Sequence, residues 1–256
     1  MSSRIDFQVA EQAVIVLSMA AAADNGRPEI PSHIHGRDLG DGQFLVEAPV
    51  GSLHVTYEAD VRNQEGDVPS TELEEVVAMR PSRYCPSDRL AGYAESRFLR
   101  YTAKTDRVRA ICAHVNRHLV YEVGSSDAHT DAADTLLSGR GVCRDYAHLV
   151  ATLCRAVDVP ARVASVYAPG LSPMDFHLVV ETALEGRWRV WDATRLAPRQ
   201  SLVRIATGRD AADVAFATVL SGRADLTSLV IMAVADGDLP ADDHEGLVTL
   251  AARQVV

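Results

Sequence analysis

The hydrophobic pattern of this chain changes its period twice, and this change restricts the possible folds more than any other feature of the sequence. Up to about residue 80, apolar and polar residues alternate, as in "SLHVTYEADV", which is typical of strands with one buried face. Between residues 104 and 157, apolar residues recur at helical spacing, and short strand-like runs return after residue 161. Helices followed by a set of antiparallel strands predict an α+β fold.

Four runs in the first 80 residues predict the strands of a small β-sandwich. They are "AVIVLSM", "QFLVEAPV", "SLHVTYEADV" and, closing the set, "ELEEVVAM", with Gly, Pro, Asn and Asp between them. The segment "RPSRYCPSD", residues 80–88, contains two prolines and is typical of a crossing between units. We therefore predict an N-terminal β-rich domain over residues 1–90 and a second domain over residues 91–256.

Three helices and a set of strands are predicted in the second domain. The run "KTDRVRAICAHVNRHLVYE" predicts a helix with Thr105 or Asp106 as its N-cap, and "DAADTLLSG" predicts a shorter one. A third helix is expected from about Cys143 to Val157, because Asp158 and the proline that follows it end the pattern. Later runs, among them "FHLVVETAL" and "RWRVWDAT", predict an antiparallel sheet.

The composition argues against several classes of function. A formal net charge of -10 disfavours a nucleic-acid-binding surface, which needs clustered Lys and Arg. The cysteines match neither a zinc pattern nor a dense disulfide framework, so we expect free thiols in a reducing compartment. No run is long enough to span a membrane. The run "AVIVLSMAAAA" is interpreted as a strand entering a loop and not as a signal peptide, because Asp6 and Glu11 precede it. We expect a cytoplasmic protein.

Cys143 stands at the mouth of the third predicted helix, directly after the loop-type residues "SGRGV". The free N–H groups and the dipole of a helix N-terminus favour a thiolate, and these groups can also bind the oxyanion that forms when sulfur attacks a carbonyl. Gly139 and Gly141 allow a tight turn and the close approach of a substrate. The position predicts a nucleophile; the alternative is a small apolar residue that happens to start a helix.

His177 and Asp192 lie on two predicted strands that "LEG" joins into a hairpin. With a loop of two or four residues, the numbers of cross-strand partners add up to an odd number, so His177 faces a residue near 192 or 194. Either register places the two side chains on one face of the sheet, within reach of each other. An aspartate beside a histidine holds the imidazole in one tautomer, so this pair is a candidate base with its orienting group.

Cys143, His177 and Asp192, in that order and in those settings, resemble the transglutaminase-like superfamily of papain-type fold, and more closely its bacterial cysteine-protease members. The matching motifs are "GRGVCRDYAHLVATLCRAVDVPARV", "MDFHLVVETALEGRWRVWDATRLAPR" and "LVRIATGRDAADVAFATVLSG". The resemblance is dense over residues 100–222. It is weaker over the first 90 residues, which look like the N-terminal β domain that accompanies this core in many members.

The resemblance implies a role for each matching residue. Cys143 in "GVCRDYAHL" falls on the nucleophile, His177 in "DFHLVVE" on the base, and Asp192 in "WDATR" on the residue that orients the base. The family's oxyanion hole uses the backbone amide of the cysteine and a second donor upstream, which the sequence does not place. Two departures are mild: Leu178 stands where an alanine is common, and Arg144 replaces a frequent glutamine.

The implied activity is thiol-dependent acyl transfer through a Cys143 acyl-enzyme, with residues 91–256 as the transglutaminase-like catalytic core. With water as acceptor, the enzyme is a peptidase or amidase, which is the interpretation we favour. With an amine as acceptor, it is a protein-glutamine transglutaminase. A catalytically silent peptide-binding module on the same fold is the third interpretation. The expected partner is a peptide or protein substrate, and we expect no cofactor, no metal, no nucleic acid and no membrane partner.

The remaining reactive side chains are assigned structural roles. His148, on the third predicted helix, is expected to be packed or hydrogen-bonded. Arg209 and Asp210 are expected to tie the following loop near the site. Three cysteines are expected to be inert, and two loop histidines are expected to be solvated and not to bind a metal: Cys85, Cys112, Cys154, His33 and His35.

Overall fold

A computed structural model describes residues 1–24, 26–40, 42–62 and 68–250 of the protein. Its strands, in chain order, are β1 (Ser2–Leu17), β2 (His35–Gly40), β3 (Gln43–Ala48), β4 (Gly51–Glu58), β5 (Val120–Tyr121), β6 (Arg140–Gly141), β7 (Ala161–Tyr167), β8 (Phe176–Leu184), β9 (Arg187–Trp191), β10 (Val203–Gly208) and β11 (Ala217–Met232). Its helices are α1 (Glu72–Ala78), α2 (Ala91–Phe98), α3 (Lys104–His118), α4 (Ala132–Ser138), α5 (Cys143–Arg155) and α6 (Ala211–Val214), with a short 3-10 helix at Arg199–Ser201. Among the described helices, none combines the length and the apolar character that a membrane span requires.

The first four strands and β11 form one antiparallel sheet in the order β11-β1-β3-β2, with β4 also paired to β1. The long strand β1 changes partner along its length, because Ser2–Val9 pair with β4 and Ala13–Leu17 pair with β3. Its pairing with β11 contains several register shifts, which allow such a strand to bend. Three of the four runs predicted for the sandwich, those in β1, β3 and β4, are thus joined in a single sheet. Its buried face is the one expected from the alternation, with Leu53, Val55 and Tyr57 all in the core.

Two predictions about helices need correction. The run "ELEEVVAM" forms α1 and not a strand, because Thr71 and Glu74 make a capping box: the Thr71 N–H donates to Glu74 Oε2 at 2.9 Å, and the Glu74 N–H donates to Thr71 Oγ1 at 3.3 Å. Helix α3 has Ala103 as its N-cap, without a side-chain cap. Thr105 and Asp106 therefore lie inside its first turn, where the Asp106 carboxylate complements the helix dipole.

Helix α5 is the centre of the second core. All residues from Asp145 to Arg155 are buried, and the helix packs against α3, α4, β7 and β8. Such burial on every side is expected for a helix inside a larger core. The helix begins at Cys143, as predicted, and ends two residues before the predicted Val157. Asp158 follows with a φ of 61°, a backbone conformation that ends a helix.

The second sheet has the order β10-β7-β8-β9 and carries the predicted hairpin. The two strands β8 and β9 are joined by Glu185 and Gly186, which have φ values of 54° and 73° and form a two-residue turn. Leu184 pairs with Arg187 in the register of this hairpin. The partner numbers therefore add up to an odd number, as predicted, and the chain leaves β9 just before Asp192.

Candidate functional site

Cys143 is the first residue of α5, at the point where a short parallel ladder meets the helix. In that ladder Tyr121 of β5 pairs with Gly141 of β6. The N-cap Val142 is extended, and its N–H donates to Asp145 Oδ2 at 2.8 Å. A Cβ at Gly141 would lie 2.6 Å from the Asp145 Cβ, so the cap requires glycine at this position. The arrangement leaves Cys143 partly exposed, and its backbone amide is in the first turn, where amides have no carbonyl partner in the helix.

His177 and Asp192 form a buried ion pair on one face of the β8–β9 hairpin. His177 Nε2 lies 2.9 Å from Asp192 Oδ2, and both side chains are at most 1% exposed. The other carboxylate oxygen accepts from the N–H and hydroxyl of Thr194 at 2.8 and 2.7 Å. Asn116 Nδ2 donates to the Ala193 carbonyl at 2.7 Å and holds the same turn from α3. The predicted juxtaposition of His177 and Asp192 is therefore confirmed.

The charges of this pair are set by its surroundings. Burial acts to lower the pKa of His177, but the Asp192 carboxylate outweighs it and, with the Cys143 thiol, raises that pKa to about 10. Burial acts to raise the pKa of Asp192, and the His177 charge and the Thr194 hydrogen bonds bring it below its usual value. His177 Nδ1 has no hydrogen-bond partner among the described residues. Because Nε2 is occupied by Asp192, Nδ1 is the nitrogen left to exchange a proton with Cys143.

Tyr121 is a further residue at the site that the sequence analysis did not identify. Burial and contact with Cys143 raise the pKa of its phenol to about 12, and both the backbone amide and the thiol of Cys143 act on the hydroxyl. The pairing of Tyr121 with Gly141 explains this position, since Gly141 lies two residues before the cysteine. Its hydroxyl can donate to an oxyanion bound at that amide. No local sequence signal marks Tyr121, because a tertiary strand pairing brings it to the site.

A cleft of about 530 Å³ opens beside Cys143 and His177. Most of the cleft lining comes from the second sheet, from the segment between α6 and β11, and from β11 itself, which belongs to the N-terminal sheet. The start of α5 and the loop residues Ser18, Tyr84 and Ala128 complete it. Its apolar lining consists mainly of Phe176, Leu178, Ile205, Val214, Phe216 and Leu229. Cavities of this size and character are typical of small-molecule and peptide side-chain sites.

The other cysteines lie in less reactive surroundings. Burial raises the pKa of the Cys85 thiol to about 11 and that of Cys112 to about 12, and it raises the pKa of Cys154 well above its usual value. Cys85 and Cys154 are fully buried in the core around α5. Of the four thiols, Cys143 is the one that lines the cleft.

His148 and Asp210 support the wall of the cleft from behind. His148 is buried and stacks on Tyr84 with ring centroids 5.1 Å apart, and its Nε2 accepts from the Ala211 N–H at 3.1 Å. Burial lowers the pKa of His148 to about 4, so the ring is neutral. Asp210 caps α6 through the Ala212 N–H and accepts from the Tyr84 N–H at 3.0 Å. His148 is thus packed and hydrogen-bonded, as predicted. Asp210 ties the start of α6 to Tyr84, and Arg209 pairs with Asp213 on the same segment.

The histidines of "PSHIHG" are both exposed, and His35 is the first residue of β2. Within the part of the chain that the structure describes, no group of three or more His, Cys, Asp and Glu side chains could hold a metal ion.

Comparison with known proteins places this geometry in a family. A family model described as "Transglutaminase-like superfamily" matches residues 93–193, which include Cys143, His177 and Asp192. A crystal structure described as "a Putative Cysteine Protease from Cytophaga hutchinsonii" superimposes with a TM-score of 0.83, at 30% identity, over 98% of this chain and 96% of that chain. An uncharacterized protein of Mycobacterium leprae is 26% identical over 205 residues, which are 70% of this chain and 72% of that protein.

The match to the Cytophaga hutchinsonii protein extends through both sheets, since it covers nearly all of each chain. The mixed helix and sheet architecture with a transglutaminase-like core is therefore as the resemblance predicted. The chain belongs to the transglutaminase-like superfamily.

Proposed function

We propose that the protein is a thiol-dependent acyl-transfer enzyme that cleaves a peptide, isopeptide or carboxamide bond through an acyl-enzyme on Cys143, with water as the acceptor. The observation that carries this proposal is the buried His177–Asp192 ion pair beside a partly exposed cysteine at a helix N-terminus. A nucleophile, a base and a group that orients the base are the parts that covalent catalysis needs. The description of the Cytophaga hutchinsonii neighbour as a cysteine protease is consistent with a peptide substrate.

In the first step, the Cys143 sulfur attacks the substrate carbonyl, and a carbon–sulfur bond forms as the carbonyl oxygen becomes an oxyanion. We assign the stabilisation of that charge to the backbone N–H of Cys143 and to the Tyr121 hydroxyl, whose pKa is affected by Cys143. The carbon–nitrogen bond then breaks, and the His177 imidazolium gives its proton to the departing amine. Asp192 holds the ring in position throughout, because its contact with Nε2 leaves Nδ1 toward the sulfur.

In the second step, water attacks the thioester while neutral His177 accepts a proton from the water. The carbon–sulfur bond then breaks, which releases the carboxylic acid and returns Cys143 as a thiolate beside the imidazolium. The thiol of Cys143 is one of the groups that raise the pKa of His177, so acylation removes part of that stabilisation and leaves more of the ring neutral, the form that accepts a proton. Water can reach the site because Cys143 is partly exposed and Tyr121 is 42% exposed. This access favours hydrolysis over transfer to an amine, since transfer depends on the exclusion of water.

The test is the rate of alkylation by iodoacetamide between pH 5 and pH 9, with peptide mass mapping to assign each modified cysteine. We expect Cys143 to react at pH 6 at least about a hundredfold faster than a free peptide thiol, because the imidazolium holds it as a thiolate. Replacement of His177 by Ala removes the partner of the thiol and should abolish this advantage. The matched control is His129→Ala, which removes an exposed loop histidine and should leave the rate unchanged.

Two results would contradict the proposal: a Cys143 rate equal to that of the free thiol in the folded protein, or a His177→Ala rate equal to that of the wild type. Acceptor choice is measured separately, with a glutamine-containing peptide in the presence of dansylcadaverine. Release of the cleaved amine or ammonia without dansyl incorporation supports hydrolysis, whereas incorporation of the dansyl group identifies transfer to an amine.

A further inference from the structure

The cleft beside Cys143 is lined mainly by apolar side chains, with Ser18, Ser165, Asp175 and Thr218 among its polar members. Phe176 and Phe216 stack across it with ring centroids 5.4 Å apart. Leu178 of β8, Val214 of α6 and Leu229 of β11 extend the apolar lining. The cleft thus continues from the nucleophile into an apolar cavity, and the N-terminal sheet contributes part of its wall through β11.

The charged groups of the cleft are already engaged by the protein itself. The Arg144 guanidinium donates to Asp145 Oδ1 at 3.0 and 3.2 Å, and it also donates to the Asp127 carbonyl at 2.6 Å. His177 is paired with Asp192. The described lining therefore contains no free cation to receive an acidic side chain. Its carboxylate, Asp175, accepts from the Phe176 N–H at 2.7 Å, and burial raises the pKa of Asp175. Away from Asp175, a basic side chain would be transferred from water into an apolar wall.

We propose that this cleft is a specificity pocket for a bulky apolar side chain, aliphatic or aromatic, on the acyl part of the substrate next to the attacked carbonyl. This inference rests on the proposed function, because it assigns the substrate class of the same thiol. The acyl part is present in both steps of the reaction, so a pocket that anchors it orients both the attack and the hydrolysis. Strand β11 of the N-terminal sheet contributes Leu229 and Thr218 to the lining of this pocket.

The test uses dipeptide aldehydes, whose carbonyl adds the Cys143 thiol reversibly to form a hemithioacetal and which carry only the acyl side of a substrate. Their affinity is measured as protection of Cys143 from iodoacetamide. Aldehydes with Leu or Phe beside the carbonyl should bind at least about tenfold more tightly than the Ala compound, from the apolar area they bury. An aldehyde with Asp should bind no more tightly than the Ala compound.

Ala212 is an exposed lining residue on α6, so Ala212→Trp fills the cleft without disturbing the core. In this variant the ratio of the affinity for the Phe aldehyde to the affinity for the Ala aldehyde should fall to near one. Leu229→Ala, which removes the β11 wall, should reduce the ratio about threefold. The matched control is Ala103→Trp, at an exposed alanine that does not line the cleft, and it should keep the wild-type ratio.

The proposal is overturned if the wild type binds the Phe and Ala aldehydes with equal affinity. It is also overturned if Ala212→Trp keeps the full wild-type preference for the Phe aldehyde. These outcomes are distinct from failure of the proposed function. If Cys143 shows rapid, His177-dependent alkylation and the aldehydes still do not discriminate, the thiol chemistry stands and the pocket assignment is wrong. If alkylation itself is slow and independent of His177, both are wrong.

Discussion

The carboxylate of Asp192 is the group whose removal should have the largest effect for the smallest change in shape. Asp192→Asn keeps the size of the side chain and keeps an oxygen for the two hydrogen bonds from Thr194. It removes the negative charge 2.9 Å from His177 Nε2 and can place an amide donor there. A neutral ring would then accept at Nε2 and carry its proton on Nδ1, the tautomer that cannot take a proton from the thiol.

The magnitude follows from the pKa of His177, which is about 10 in the protein against an ordinary value of 6.5. That difference corresponds to a preference for the imidazolium on the order of 5 kcal/mol. Without Asp192, the effect of burial is opposed only by Cys143, so the pKa of His177 falls. Because Cys143 supplies part of the stabilisation, we expect alkylation at pH 6 to slow by about a hundredfold to a thousandfold rather than by the full amount.

The assay is iodoacetamide labelling of Cys143 from pH 5 to pH 10, with circular dichroism to show that the variant is folded. The difference in alkylation rate between the wild type and Asp192→Asn should become smaller as the pH rises, since an unpaired thiol ionises by itself in alkaline solution. The matched control is Asp88→Asn, which removes an exposed carboxylate and should change the rate by less than about twofold. A folded Asp192→Asn protein that is alkylated within about threefold of the wild-type rate at pH 6 would refute this reasoning.

Three further changes test other parts of the structure. Tyr121→Phe should slow acylation by a p-nitrophenyl ester about a hundredfold with little change in KM, and an unchanged rate would remove the tyrosine from the oxyanion site. Asp242→Asn breaks a buried pair with Arg199 at 2.8 Å and should lower the free energy of unfolding by about 3 kcal/mol at pH 7, measured by urea titration. The pKa of Asp242 is lowered, so the wild-type advantage should be present above about pH 4 and be lost as the pH falls further; an advantage independent of pH would contradict the assignment. Gly222→Ala should lower Tm by several degrees, because φ is +74° and the added Cβ would lie 2.0 Å from the Gln12 carbonyl oxygen; an unchanged Tm would show that the strand can shift there.

The parts of the site that could be predicted from the sequence are those fixed by short-range geometry. Side chains alternate along a strand, and a two-residue turn fixes the register, so the pairing of His177 with Asp192 followed from counting. The start of α5 at Cys143 followed from the loop residues before it and the helical spacing after it. Each of these two signals is contained in one short stretch of the chain.

The parts that could not be predicted depend on contacts between distant segments. Tyr121 reaches the site through a two-residue parallel ladder with β6, and two residues show no hydrophobic period. The wall formed by Leu229 depends on the pairing of β11 with β1, which no local pattern specifies. The error at α1 is of another kind, because Thr71 and Glu74 carry a local capping signal, which outweighs the apolar run that predicted a strand.

The pairing of β1 with β11 has a consequence for when the site becomes complete. Ser2 is paired with Met232, so β1 stays without this neighbour until residue 232 has been synthesised. The same late strand supplies Leu229 to the cleft. A nascent chain that already contains Cys143, His177 and Asp192 therefore lacks one wall of its pocket. The order of synthesis thus delays the assembly of the complete cleft until the strands at opposite ends of the fold have met.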